Sequence, residues 1–146
     1  MSMSQRPGDR RLLPTKPTPH RGQRVLVVEE HPPAAEMVAD FLGDEGYAVT
    51  VALGLAEAAD ALAAARYDLV LCDSLRKSTT GLLTDRWGPL EQVRTLAGDT
   101  PVVVSTAYSP RFFADYRERG FTDLLPKPFR LDELLAVVRR HLAPVR

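Results

Sequence analysis

The residues with the clearest capacity for chemistry are acids that close apolar runs. Glu29 and Glu30 follow Arg-Val-Leu-Val-Val at 24 to 28, and Asp73 follows Asp-Leu-Val-Leu-Cys at 68 to 72. Thr106 comes after a similar run, Pro-Val-Val-Val-Ser at 101 to 105, and Lys127 lies just beyond Phe121 to Leu125. Carboxylates crowded into a partly dry site repel one another and raise at least one proton affinity unless a cation joins them. Magnesium meets that need, because it favours carboxylate, carbonyl and water oxygens and commonly bridges protein carboxylates to phosphate. A lysine offsets the charge of a phosphate, and a threonine hydroxyl donates to it. The set suits phosphoryl transfer to a carboxylate, with Asp73 as nucleophile. One acid at the end of one run is ordinarily a surface group. The joint placement with Thr106 and Lys127 singles these out.

Elements must bring these distant positions together. Each run is short, apolar and rich in β-branched residues, as in a strand covered on both faces. Pro32 and Pro33 suit a helix entrance, and Met37, Val38, Phe41 and Leu42 recur at helical spacing before Gly46. Tyr47 to Val51 reads as a strand, and Ala56 to Ala65 as an alanine-rich helix with Leu55 and Leu62 on one face. Ser74 to Thr84 is polar and turn-like, forming a loop above the sheet. Leu90, Val93, Arg94 and Leu96 allow a third helix. Phe112, Phe113 and Tyr116 make the apolar stripe of a fourth, from Pro110 to Gly120, where core packing outranks stacking on nucleic acid. Leu131, Leu134, Leu135, Val138 and Leu142 mark a fifth helix, with Asp132 and Glu133 in its first turn and Arg139, Arg140 and His141 near its end, opposing the helix dipole.

Strands alternating with helices predict an α/β fold: a doubly wound, flavodoxin-like parallel sheet of order 2-1-3-4-5 with helices on both faces. Ligands then bind beyond the carboxyl ends of strands one and three, where the order reverses. That places Glu29 and Glu30 beside Asp73, with Thr106 on the adjacent fourth strand. Lys127, at the end of the fifth, has a stem long enough to reach back toward Asp73.

The 146 residues suit one domain, and 45% hydrophobic with 26% charged residues is ordinary for a folded soluble protein. Nineteen basic residues balance nineteen acidic ones, so no global field argues for direct nucleic-acid binding or an anionic membrane as partner. Residues 1–22 are basic and proline-rich, and read as a flexible tail before a domain at 23–146, with an electrostatic tether as the functional alternative. No apolar stretch approaches the roughly twenty residues of a membrane helix, and no secretory signal opens the chain. The single Cys72 excludes an intrachain disulfide, so a cytoplasmic location is the default, and the thiol reads as a small buried hydrophobe. His31 suits a first helical turn, while His20 and His141 belong to no evident ligand cluster.

Over about Gln23 to Ala143 the sequence resembles the response-regulator receiver domain of two-component signalling, in the CheY-like superfamily. The resemblance rests on Val-Leu-Val-Val-Glu-Glu-His-Pro at 25 to 32; Tyr-Asp-Leu-Val-Leu-Cys-Asp at 67 to 73, with Gly81 beyond it; Pro-Val-Val-Val-Ser-Thr-Ala at 101 to 107; Gly120; and Lys127-Pro128-Phe129. Each is weak alone, but their order and spacing together are specific. The resemblance implies that Asp73 accepts a phosphoryl group from a sensor histidine kinase or a histidine phosphotransfer protein. It implies that Glu29, Glu30, Asp73 and the backbone carbonyl of Leu75 hold magnesium. Thr106 would contact the phosphoryl oxygens, Lys127 would pair with Asp73, and the Lys127–Pro128 bond would be cis. A downstream protein, or a second copy in a homodimer, would bind the face of the fourth helix, fifth strand and fifth helix, from Ser109 to Arg119, Phe121 to Leu125 and Arg130 to Arg140.

Four departures stand out. Both members of the acidic pair are glutamate where aspartate is usual, and the extra methylenes move the carboxylates by about 1.5 Å each, which magnesium tolerates badly. Arg76 and Lys77 replace a hydrophobic residue and a proline; they read as solvent-facing, with attraction of phosphate as the alternative. The aromatic switch position is Leu124, which lacks a phenolic hydrogen bond. Residues 85–89 lengthen the third connection, and Trp87 within them reads as a packing residue. The chain is therefore expected to be a phosphoacceptor signalling domain without its own output domain, self-catalysing phosphate gain and loss rather than acting as a conventional enzyme. The alternative is a receiver-fold binding module with weak or no phosphorylation. A metal-dependent hydrolase fits less well, because no positioned general base is visible.

Overall fold

The computed structural model describes residues 22–75 and 86–142. Residues 1–21 of the tail expected at 1–22, and Arg76, Lys77, Gly81 and Asp85, lie outside them. The described chain runs β1 (Arg24–Val28), α1 (Pro32–Asp44), β2 (Ala48–Ala52), α2 (Leu55–Ala64), β3 (Leu69–Asp73), α3 (Gly88–Ala97), β4 (Val102–Thr106), a 3-10 helix (Pro110–Phe113), β5 (Asp123–Pro126) and α4 (Leu131–His141). The strands form one parallel sheet of order β2-β1-β3-β4-β5. This is the doubly wound, flavodoxin-like order expected from the sequence.

Alternation along the strands divides the interior into two layers. Leu26, Val28, Val70, Cys72, Val102 and Val104 face one way, toward Ala58, Trp87, Leu90, Val93 and Phe113. Val25, Val27, Leu69, Leu71, Val103 and Leu125 face the other, toward Val38 and Leu42 of α1 and Leu134 and Val138 of α4. The three central strands, β1, β3 and β4, bury nearly every side chain they carry between these layers; β2 and β5, at the edges, are partly exposed.

The expected fourth helix does not form as an α-helix. Its place is taken by the 3-10 helix and a run of turns to Gly120. Phe112, Tyr116 and Gly120 donate to the carbonyls three residues back, on Ser109, Phe113 and Arg117. Bulky aromatic residues lose rotamer freedom in an α-helix, and tertiary packing here outweighs the spacing signal. Phe113 is fully buried, whereas Phe112 is 37% exposed, so the three aromatics do not share one apolar stripe. Phe113 meets the Trp87 ring edge-on at 5.1 Å, and Phe121 stacks on it at 5.1 Å. Trp87 is thus a core residue at the entrance of α3.

Candidate functional site

Register fixes the height of each candidate at the carboxyl end of the sheet. Val28 pairs with Cys72, so Glu29 and Asp73 stand level one residue further on. Asp73 pairs with Ser105, which sets Ser74 level with Thr106. Thr106 pairs with Pro126, which brings Lys127 to the next level up. Alternation then sorts them. Glu29, Asp73 and Lys127 continue the parity of the α1 and α4 layer, while Ser74, Thr106 and Leu124 continue that of the other.

The geometry follows that sorting. Lys127 Nζ donates to Asp73 Oδ1 at 2.8 Å and to Glu29 Oε1 at 2.7 Å. Its stem crosses from β5 over β4, as the expected reach requires, and the bond to Pro128 is cis. Glu29 is buried, and its Oε2 accepts the backbone N–H of His31, the residue directly before the first turn of α1. Both oxygens of Glu29 are therefore engaged within the protein. Glu30 is exposed and shares a cavity of about 270 Å3 with Asp73, Ser74, Ala107, Tyr108 and Lys127.

Burial raises the Asp73 pKa above the usual carboxylate value, and the neighbouring Glu29 and Glu30 add to the rise against the opposing pull of Lys127. For Lys127, burial disfavours the charge, but Asp73 and Glu29 more than compensate and hold the ammonium above its ordinary pKa. Cys72, fully buried and next to these acids, has its pKa raised chiefly by desolvation, which suits a packing residue and not a nucleophile.

Thr106 does not line this cavity. It is fully buried, and its Oγ1 accepts the Ser74 hydroxyl at 2.8 Å and the Tyr108 backbone N–H at 3.0 Å. Ser74, which falls within the loop expected at 74–84, lines Asp73's cavity and donates its hydroxyl to the buried Thr106. Its signal was legible in principle, since a residue one past Asp73 must stand level with Thr106 once the register is fixed. Leu124 packs against the layer on Thr106's side of the sheet. Leu75 is buried directly after Ser74.

Magnesium can be tested against these groups. Among the described residues, no group of three or more His, Cys, Asp or Glu is arranged to hold a metal. Two carboxylates nonetheless line the cavity, those of Asp73 and Glu30, and both offer the oxygen donors that a hard cation takes. Magnesium usually keeps several waters and takes only one or two carboxylates, so this donor set fits in kind.

Comparison with known proteins bears on the family and the fold. Residues 25–139 match the model of the response regulator receiver domain family. The chain is 34% identical over 117 residues to the transcriptional regulatory protein DltR of Streptococcus agalactiae, covering 80% of this chain and 50% of that protein. It is 36% identical over 122 residues to the response regulator MprA of Mycolicibacterium vanbaalenii, covering 82% and 50%. The chain thus spans about half the length of the curated relatives it matches. Among solved structures, the Francisella response regulator 1452 receiver domain superposes with a TM-score of 0.69 at 27% identity, covering 82% of this chain and 95% of that one. The chemotaxis response regulator CheY4 of Vibrio cholerae does so with 0.69 at 29% identity, covering 83% and 99%. Sheet order, acid-and-lysine cluster and family match converge: the chain belongs to the response regulator receiver domain family, the phosphoacceptor modules of two-component signalling.

Proposed function

We propose that Asp73 is the phosphoacceptor of this receiver domain and that Lys127 and Glu30 serve it. The observation that carries this reading is the Lys127 ammonium on Asp73 Oδ1, at the edge of a cavity open to an incoming phosphoryl group. An Asp73 oxygen forms the new P–O bond as the P–N bond of a donor phosphohistidine breaks, leaving an acyl phosphate on Asp73 and the electron pair on the departing imidazole nitrogen. Lys127 offsets the negative charge gathered there, held in place by Glu29 on its other side. Receiver domains of this family often bind magnesium; here Glu30, Asp73 and the Leu75 carbonyl would hold it, and the ion would supply charge neutralisation to the phosphoryl oxygens. Glu29 acts from behind, on Lys127.

The donor is a sensor histidine kinase or a histidine phosphotransfer protein, as is general for receiver domains. The finer assignment is that a downstream protein, or a second copy, docks on residues 109–119 with β5 and α4, in the cytoplasm and without direct contact to nucleic acid. No helix among the described residues is long and apolar enough to cross a membrane.

Incubation with magnesium and acetyl phosphate, followed by mass mapping, is expected to show one acid-labile phosphoryl group on Asp73, lost in Asp73→Asn and on chelation of the metal. A protein that takes up no phosphoryl group and binds no beryllofluoride would instead be a binding module of the same fold. That second reading draws support from Lys127 already satisfying both Asp73 and Glu29 in the unmodified site.

A further inference from the structure

Thr106, the hydroxyl expected to meet the phosphoryl group, is sealed in the layer opposite Asp73, and the group between them is Ser74. Ser74 lines the cavity that Asp73 and Lys127 line, while its Oγ donates to Thr106 Oγ1 at 2.8 Å. The pairing is built into the backbone. Ser74 N–H donates to the Ser105 carbonyl at 2.8 Å, which continues the β3–β4 ladder one step past Asp73 and holds Ser74 level with Thr106. Both hydroxyls are buried, so neither exchanges this bond for water at little cost.

We propose that Ser74 is a positioning residue that latches Thr106 in its interior rotamer and releases it when a phosphoryl group appears on Asp73. The inference rests on the reading of Asp73 as acceptor. Its physical basis is a competition between acceptors. In the unmodified protein Ser74's proton has the neutral Thr106 oxygen. A phosphoryl group on the adjacent residue brings strong anionic oxygens into the cavity that Ser74 lines, and hydrogen bonds to ionised acceptors are roughly twice as strong as neutral ones. Ser74 transfers its bond to the phosphoryl group, and Thr106 loses the contact that fixed it. Phosphorylation is thereby conveyed from the α1 and α4 side of the sheet to the side where Leu124 packs.

The test uses the full 146-residue chain with the Thr106 methyl group observed by NMR, with and without beryllofluoride and magnesium. In unmodified wild type one Thr106 rotamer is expected. Ser74→Ala should shift its methyl resonance toward the position that beryllofluoride produces in wild type, and Ser74→Thr, which keeps a hydroxyl, should restore the resting position. Beryllofluoride affinity should change by about two- to tenfold in Ser74→Ala, the range of one net hydrogen bond. The size of that change should differ in a Thr106→Ala background, because Ser74 then meets the beryllofluoride without first giving up its bond to Thr106. An unaltered Thr106 rotamer in Ser74→Ala, or an effect on affinity that persists unchanged without Thr106, overturns the latch while leaving Asp73's role intact. Failure of every variant to take beryllofluoride or a phosphoryl group overturns the acceptor reading, and with it the release step. The rotamer change in unmodified protein then still reports whether the hold on Thr106 exists.

Discussion

Lys127 carries the electrostatics of the site because, among the described residues, it is the one ammonium within hydrogen-bond reach of both Asp73 and Glu29. Glu29 is the more deeply buried of the two acids, with a side chain 10% exposed against 15% for Asp73. An uncompensated buried carboxylate is expensive, and breaking a fully buried pair by deleting one partner costs about 3–5 kcal/mol. Lys127 is 24% exposed, so water replaces part of what it supplies, and Lys127→Ala is expected to cost about 2–3 kcal/mol in urea denaturation. Adding Glu29→Gln to that variant should recover part of the loss, since the substitution removes the stranded charge. A further drop in stability on adding Glu29→Gln would show that the cost comes from lost packing of the lysine stem. At this scale Asp73, Lys127 and Thr106 were legible in the sequence, because each follows an apolar run whose end the topology fixes. The division of labour was not. That Glu29 serves Lys127 while Glu30 remains at the cavity depends on strand parity at the sheet's edge, and a pair of adjacent identical residues offers no pattern from which to choose.

The elements are positioned by an aromatic cluster that spacing alone did not assign. Trp87 sits between Phe113 and Phe121, and Arg119 lies over its ring at 4.9 Å while bonding Glu91 and Asp115 at 2.8 Å each. This ties α3 to the turns that replace the expected fourth helix. Strands and the other helices were readable because continuous apolar runs and helical periodicity are properties of neighbouring residues. The 110–120 segment was misread because Phe112, Phe113 and Tyr116 satisfy helical spacing while their burial is decided by Trp87, distant in sequence. Substitution separates the two aromatics. Trp87→Ala should cost about 3–5 kcal/mol, as for a large side chain lost from a core. Phe112→Ala, removing a ring 37% exposed, should stay within about 1 kcal/mol. Equal losses from both would mean that Phe112 is a core residue after all. Gly120 closes the segment at φ +90°, where an added Cβ would also meet the Arg94 side chain at 3.2 Å. Gly120→Ala is therefore expected to lower stability by about 1–2 kcal/mol in thermal unfolding.

Across the whole molecule, charge is concentrated at both ends of the sheet, and the two ends are built for different work. At the carboxyl end the Asp73 pKa is raised by burial and nearby acids, which makes its ionised form costly despite Lys127. At the opposite end Asp123 opens β5, and burial again disfavours its charge. There His141, the Leu124 backbone N–H and Arg140 outweigh the burial and bring its pKa below the usual value. Asp123 Oδ2 meets Arg140 at 2.6 Å and His141 at 2.8 Å, so one carboxylate fastens the end of α4 to the sheet. A folded-state pKa below the unfolded one, about 3.9 for aspartate, contributes stability that is fully present above the unfolded value and is lost as pH falls through the folded value. Asp123→Asn should thus be less stable than wild type by about 1–2 kcal/mol at pH 7, a figure reduced from that of a charge-assisted bond because Arg140 is largely exposed. The gap should hold constant down to about pH 5 and close below pH 4, where wild type loses the same ionised carboxylate. Urea denaturation of both proteins from pH 7 to pH 3 measures it. A gap that stays constant to pH 3 would mean that Asp123 holds α4 by shape and neutral hydrogen bonding, and that the charge at this end of the sheet has no part in anchoring the helix.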